Sequence, residues 1–548
     1  MAVPEQPKLG PRTKTIARHL LVLGLSEDAT ARTRFLLPRL AELSDPATMA
    51  DRTQAAARLA LAIKRKERIV VFGDYDCDGM TATAIMTEAL RKLGAAEVVP
   101  LLASRFDGGY GLSLRALERV LEAKPDLVVT CDCGSSDHES LEVLAEKGID
   151  ALVIDHHLVP ERPLPVLAFL NPHRPECQFA YKGLASCGLA LSLVAAVRAE
   201  LGAALDVRSW LDLVAIGTIA DVAPLDGDNR ALVRAGLAQL ARAERPGLLS
   251  LCDVIGLDRS GTLVASDVAF RIAPRLNAPG RMGPPDLALQ LLLERDPEKA
   301  RSLALEVEHL CQMRREAQTS IEREASEDAD LHGSVDAVVV GRPGWNHGIV
   351  GIVAGRIAET RACPTVVIGF EGDVGRGSVR GPAGFPLFDA VQAASSALVR
   401  FGGHQAAAGL ELRLERLVEF RALFAAACAE RRDYPRVVAR APLEVDASDD
   451  LGELLADLYE LEPCGQGNPA PLLRLSGQVR GSRALKGGHL KMDLERAGGG
   501  RLSVFGPGLG SRLESLGSSV TVVGSLRADR YRGGDALEFL AQRLDPES

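Results

Sequence analysis

Between Arg68 and Gly79 the chain sets four apolar residues, Ile69, Val70, Val71 and Phe72, directly ahead of three aspartates at alternate positions, Asp74, Asp76 and Asp78, and a glycine. An apolar run of that length bounded by polar residues predicts a strand buried on both faces, with the three carboxylates emerging together where it ends. Like charges packed this closely repel one another, and burial magnifies the repulsion unless a cation cancels it. Oxygen ligands suit hard divalent ions, so the triplet reads as a metal site. The pattern also opens the calcium-loop signature, but that loop requires a glutamate at its twelfth position, which here is Ile85, and a helix in front rather than a strand. The remaining alternative, a solvated acidic turn, has to be weighed against the residues farther along the chain.

An alternation of helical and strand patterns surrounds the triplet. Helices are predicted over 49–66, 81–93, 113–123 and 140–147, and strands over 69–72, 97–102, 127–130 and 151–154. Such alternation predicts parallel βαβ units in a doubly wound sheet, whose ligands bind beyond the carboxyl ends of the strands. The third strand runs into Asp132 between Cys131 and Cys133, and the fourth into Asp155, His156 and His157. Asp221 follows a predicted helix over 210–220. Singly, each has a bland explanation as a cap or a surface residue. Carboxylates and imidazoles converging on one sheet edge suit manganese or magnesium better than calcium or structural zinc, and the set is large enough for two ions.

The order Asp74-Tyr-Asp76-Cys-Asp78-Gly, then Asp132-Cys-Gly, then Asp155-His156-His157, then Asp221 between Ala220 and Val222 resembles the DHH phosphoesterase superfamily and, within it, the bacterial RecJ single-strand-specific exonucleases. Segments 105–112, 274–281, 345–348, 377–380, 402–404 and 463–469 resemble that family too, so the likeness runs over roughly 50–548. It implies that Asp76, Asp78, Asp132, His156 and Asp221 hold two Mn(II) or Mg(II) ions, with Asp132 bridging. His157 is either a further ligand or a donor near the scissile phosphate, and Asp74 is a ligand or only orients its neighbours. His157, Asp132 and Asp78 are the expected catalytic residues. The implied reaction is 5′ to 3′ exonucleolysis of single-stranded DNA to 5′-mononucleotides, in repair and recombination, with a helicase or single-strand-binding protein as possible partners. Two residues depart from the family pattern: Cys77 replaces an alanine beside the metals, and Cys464 an aromatic at the junction to the C-terminal domain. The chain is expected to lack the extra C-terminal domain of some members.

The later segments carry their own physical reading. Arg271, Arg275 and Arg281 with Asn277 in a Gly/Pro-rich loop form a candidate phosphate clamp, since guanidinium forks match phosphate oxygens. Asp296 and Pro297 read as a cap and first turn, opening a breaker-free run of about 35 residues, a helix of about 50 Å that would join two lobes. The second lobe, expected over 332–435, brings His347, Ser378, Arg380, Gly403 and His404 as candidate anion binders, and the resemblance assigns Ser378, Arg380 and His404 to phosphates or the terminal nucleotide. Arg105 is expected on the 5′ phosphate and Tyr110 as a stack or wedge on a base. From about 440 the period becomes two, predicting five strands of an OB-type barrel with Arg480, Arg483, Lys486, Lys491, Arg527, Arg530 and Arg532 as a basic face beside Tyr531. The expected domains are thus 1–48, a leader with a helical segment; 49–240, the metal-binding domain; 241–331, the helical connector; 332–435; and 440–548.

Over 548 residues the net charge is −9, so nucleic-acid binding has to come from local patches. The ten cysteines are scattered without zinc spacing or a disulfide framework, and no apolar run approaches the ~18 residues of a membrane span. A reduced cytoplasm and a monomer are the expectations. Two other readings stay open: a DHH phosphoesterase for short oligonucleotides or cyclic dinucleotides, and a non-catalytic DNA-binding scaffold.

Overall fold

The computed structural model describes residues 10–106, 109–404, 407–436, 441–497, 499–529, 532 and 536–546, with His404 and Pro546 as backbone only. Its first lobe is built on a five-stranded, all-parallel sheet of β1 (Arg68–Gly73), β2 (Glu97–Leu102), β3 (Leu127–Cys131), β4 (Asp150–Ile154) and β5 (Ala168–Leu170), in the order β2-β1-β3-β4-β5. β1 and β3 are apolar on both faces because a core lies on each side of the sheet. Gly73 pairs with Cys131 and Cys131 with Ile154, so β1, β3 and β4 end level. The ladder then runs one step further: Asp74 N donates to Cys131 O (3.1 Å), Asp132 N to Ile154 O (2.8 Å) and Asp155 N to Leu170 O (3.0 Å). Three aspartates therefore stand side by side at the sheet's carboxyl edge.

The helix after β1 runs Cys77–Lys92, starting four residues before the expected position. Asp76 is its N-cap, accepting from the N–H groups of Asp78 (3.0 Å) and Gly79 (3.2 Å), so the triplet crosses into the helix instead of preceding it. A side chain at position 79 would meet the Asp74 backbone at 2.6 Å, which is why a glycine closes the motif.

The connector contains a 36-residue helix, Pro297–His332, capped by the Asp296 side chain on Lys299 N (2.9 Å). Its first half buries Ala304 and Val307 in the core of the first lobe, and its second half buries Ile321, Ala325 and Ala329 in the core of the second. One rigid element thus fixes the distance between lobes. The second lobe is a mixed sheet of β6 (Val338–Pro343), β7 (Thr365–Glu371), β8 (Val374–Arg380), β9 (Arg400–His404) and β10 (Ala407–Arg413), in the order β6-β7-β8-β10-β9, with helix His347–Arg361 between β6 and β7.

The C-terminal domain adds β11 (Leu443–Glu444), β12 (Leu473–Leu485), β13 (His489–Arg496), β14 (Arg501–Gly506), β15 (Ser519–Ala528) and β16 (Leu537–Pro546). β12 pairs with both β13 and β15, and β14 pairs in parallel with β16, so five strands close into the OB-type barrel that the change of period predicts. The N-terminal segment is part of this domain's packing: Ile16, Leu20 and Leu36 enter the barrel core, and Thr13 and Thr15 donate to Asp457 (2.7 Å) and Asp449 (2.6 Å). No helix among the described residues is long and apolar enough to cross a membrane.

Candidate metal centre

At the level edge of β1, β3 and β4, three overlapping groups of side chains come within ligating distance of one another: Asp74, Asp76 and Asp132; Asp78, His156 and Asp221; and Asp132, His156 and His157. His156 Nε2 lies 3.2 Å from Asp132, 3.7 Å from Asp221 and 3.9 Å from Asp78. It makes no hydrogen bond among the described residues, nor does the buried Asp74 Oδ1. Buried polar atoms without partners are rare, and these two belong to groups that share Asp132. The carboxylates tell the same story through their protonation: burial and the charges of Asp78 and Asp76 raise Asp132 well above the usual range and push Asp221 up to about 8. Burial holds His156 below its ordinary value, keeping the neutral imidazole that a metal requires. An anionic oxygen set with one neutral imidazole fits manganese or magnesium.

Hydrogen bonds from the surrounding fold orient these groups. The N-terminus of helix Ser186–Glu200 points at Asp78, whose carboxylate accepts from the backbone N–H of Ser186 (2.7 Å) and Cys187 (2.9 Å), while Ser186 Oγ donates to Asp132 (3.0 Å). Gly217 makes room for this contact, since a Cβ there would sit 2.9 Å from Asp78 and 2.4 Å from Thr81 Oγ1. Asp132 and Val222 adopt left-handed backbone, with φ of 64° and 61°, the kind of strain that clusters at functional sites.

Asp155, a residue of the motif to which the sequence assigns no role of its own, is the organiser of the two histidines. It is fully buried and accepts from His156 N (2.8 Å), His157 N (3.2 Å), His157 Nδ1 (2.7 Å) and Ser135 N (3.1 Å). Burial alone would raise its carboxyl, but the bond and charge of His157 bring it down to about 2. In return Asp155 outweighs the effect of burial on His157 and raises it to about 9. With Nδ1 committed, Nε2 is the nitrogen His157 has left for a ligand or a phosphate. Tyr110, expected as a stack or wedge on a base, is 42% exposed and also tied to the centre. Its hydroxyl reaches Asp132 O and His157 Nδ1, both at 3.1 Å, and its ring packs edge-on against His157, so the side chain braces the centre.

Facing the carboxylates is a cluster of cations from both lobes. Arg105 stacks on Tyr75 at 4.0 Å, and its charge depresses both Arg281 and Arg380, whose first cause of depression is burial. Arg281 is lowered to about 10, with Arg314 as a further like-charged neighbour. It donates to Gly348 O (2.9 Å) at the N-terminus of helix His347–Arg361, and a Cβ at position 348 would collide with the Arg281 backbone at 2.3 Å. Ser378 and Arg380 both face Gly351 of the same helix. Crowded guanidinium groups of two lobes have the chemistry that complements a polyanion, as crowded carboxylates have that for cations.

Other expected contacts are placed differently. Arg275 is 8% exposed and ion-paired with Glu308 (2.8 Å), so it ties the loop to the long helix and has little surface for a phosphate. Asn277 Oδ1 makes no hydrogen bond among the described residues and lines a cavity beside the centre. His347 opens its helix with Nε2 3.1 Å from Glu371. Gly403, at φ 143°, sits on β9 where a Cβ would meet Ala407 O at 2.5 Å, and the His404 side chain lies outside the described residues. On the barrel the basic face is partly neutralised: Arg480 pairs with Glu495, Lys491 and Arg527 share Glu538, and Arg532 lies 3.7 Å from Asp529. Arg483 and Lys486 stay exposed, while Arg530 and Tyr531 lie outside the described residues. At the junction to the barrel the Cys464 N–H donates to Glu462 (2.8 Å), and Arg230 spans Leu461 O (3.0 Å), Pro463 O (3.3 Å) and Phe35 O (2.6 Å).

Comparison with known proteins accounts for this architecture. Residues 68–218 match the DHH family, N-terminal domain, residues 334–430 the DHHA1 domain and residues 443–543 the RecJ OB domain. The single-stranded-DNA-specific exonuclease RecJ of Dickeya dadantii is 36% identical over 525 residues, 90% of each chain, and that of Bacillus subtilis is 34% identical over 95% of this chain and 66% of its own length. The crystal structure of RecJ from Thermus thermophilus in complex with manganese superposes with a TM-score of 0.82 at 34% identity, covering 96% of this chain and 75% of that one. The same protein with magnesium gives 0.75. With three domains in the same order and a sheet edge fitted to the same ions, the chain belongs to the RecJ family of DHH phosphoesterases.

Proposed function

We propose that this protein is a manganese- or magnesium-dependent exonuclease that degrades single-stranded DNA from the 5′ end to 5′-mononucleotides, in DNA repair and recombination. The observation that carries the reading is the pairing of a carboxylate and imidazole cluster with a guanidinium cluster that reaches it from both lobes. Asp76, Asp78, Asp132, His156 and Asp221, with Asp74 beside them, are the residues that would hold two such ions, and Asp132, which belongs to two of the three groups, is the carboxylate placed to serve both. Two-ion centres of this kind supply a water of lowered pKa and neutralise charge on the attacked phosphodiester. Asp155 and Tyr110 keep His157 oriented, so that its Nε2 can donate to a phosphate oxygen. Arg105, Ser378 and Arg380 secure the terminal 5′ phosphate, and Arg281 the next one, which fixes the polarity. The lobes are held at one separation by the long helix, and the cleft between them takes a single strand.

The domain division is 1–48 for the leader with its helical segment, 49–240 for the metal-binding domain, 241–331 for the connector, 332–435 for the second lobe and 440–548 for the barrel. The enzyme acts as a cytoplasmic monomer on strands opened by a helicase or presented by a single-strand-binding protein. Strands labelled at either end, as single strands or duplex, together with linear and cyclic dinucleotides, distinguish the readings. In manganese the wild type should release 5′-terminal label from long single strands as mononucleotide, and Asp132→Ala should not. Preference for dinucleotides, or metal-independent binding without cleavage, would overturn the proposal.

A further inference from the structure

Beside the metal centre is a cavity of about 520 Å³ in which two apolar side chains are left in solvent. Phe270, 75% exposed, projects from a π-helical turn, Val268–Ile272, and Val222, 64% exposed, follows Asp221 directly. Isolated exposed apolar residues need no explanation, but these two line the same hollow. Val222 is held there by a left-handed backbone that a β-branched residue strongly disfavours, and π-turns are frequent at functional sites. Arg314 also lines the cavity; it is 9% exposed, and its Nε makes no hydrogen bond among the described residues. Asn277 and Arg281 belong to the polar lining, together with Ser266 and Gln466.

We propose that Phe270 stacks on an unpaired base of the DNA strand near the metal centre, with Val222 packing against the same nucleoside. This rests on the exonuclease reading. The cavity adjoins the catalytic edge, because Ala220 and Val222, the neighbours of Asp221 in the chain, and Arg281 of the guanidinium cluster line it, and Ile352 of the second lobe lines it too. A nucleotide matches its chemistry: the flat apolar face of a base meets the phenyl ring, and the buried guanidinium groups meet phosphate. Every base has such a face, so the contact holds a strand without reading its sequence. In a chain with 4% aromatic residues and a barrel whose basic face is partly neutralised, an exposed phenylalanine here supplies grip close to the chemistry.

The test is a binding measurement on full-length wild type, Phe270→Ala and Phe270→Trp. In calcium, an ion of looser geometry that replaces the catalytic metal, fluorescence anisotropy follows 5′-phosphorylated single strands carrying one abasic residue at each of the first several positions. The wild type should lose about tenfold in affinity at one position. Phe270→Ala should bind the intact strand about tenfold more weakly with no further loss at that position, and Phe270→Trp should restore the sensitivity. An Ala variant that binds intact DNA like wild type, or whose abasic profile parallels wild type, overturns the proposal. A wild type that binds no single strands overturns the exonuclease reading and this inference with it. The phenyl ring is exposed, so the variants should keep the wild-type melting curve.

Discussion

Replacing Asp155 by Asn tests whether the carboxylate beneath the histidines organises the metal centre. Oδ1 accepts three N–H groups, from His156, His157 and the His157 ring, and Oδ2 one, from Ser135. An asparagine keeps three of the four by placing its oxygen at the Oδ1 position, and then presents an NH2 to the Ser135 N–H. Each retained bond turns from charge-assisted to neutral, a loss of roughly 1 kcal/mol, and the unmatched Ser135 donor adds ~1–3 kcal/mol. The sum, about 4–6 kcal/mol before relaxation, falls on the loop that carries His156 and His157. Manganese affinity should drop about 10–100-fold, the usual cost of losing a partner that orients a ligand. Calorimetric titration measures this directly. Melting with and without saturating manganese provides a second readout, because stabilisation by the ion should shrink by ~1.4–2.7 kcal/mol, the equivalent of that affinity ratio. A folded Asp155→Asn protein that binds manganese within twofold of wild type would refute the reasoning.

Three further substitutions probe other parts of the account. Arg380→Ala should abolish any preference for 5′-phosphorylated over 5′-hydroxyl single strands while leaving manganese affinity unchanged, as competition between the two substrates will reveal. Gly217→Ala forces a Cβ to 2.4 Å from Thr81 Oγ1 and 2.9 Å from Asp78, so it should cost ~1–3 kcal/mol in denaturant unfolding and weaken manganese binding through Asp78. In the barrel, Glu538 is held below its ordinary range by its bonds to Lys491 and Arg527 despite its burial. A lowered carboxyl contributes stability that is present above its unfolded value, ~4.3, and lost as pH falls through the folded value. Glu538→Gln should therefore destabilise the barrel by roughly 1 kcal/mol at neutral pH and flatten the acid limb of its unfolding profile.

Where the sequence was most legible, side-chain chemistry and element period pointed the same way. The apolar runs before Asp74, Asp132 and Asp155 predict strands, the parallel-sheet rule puts their ends on one edge, and the structure sets those ends level, with each aspartate one residue beyond the last ladder pair. The long helix was legible from Asp296 and Pro297 at its start and the absence of breakers after them. Less legible was everything that depends on where a donor comes from. Ser186 reaches Asp132 from a helix more than fifty residues downstream, and nothing in its local sequence marks it. Arg275, Lys491 and Arg527 carry the right charge for DNA, but tertiary packing brings each a carboxylate. Asp155 was visible as part of a motif, yet only its four hydrogen bonds distinguish a residue that orients ligands from a ligand. Phe270 looks like any core residue in sequence, and only the fold leaves its ring in solvent.

The central claim is that one edge of a parallel sheet holds two catalytic ions through Asp132. Anomalous diffraction from a crystal grown in manganese tests it most directly. Two peaks about 3.5–4 Å apart, with Asp132 between them and Asp76, Asp78, His156 and Asp221 around them, are the predicted result. A single peak, or a pair that Asp132 does not touch, would contradict it.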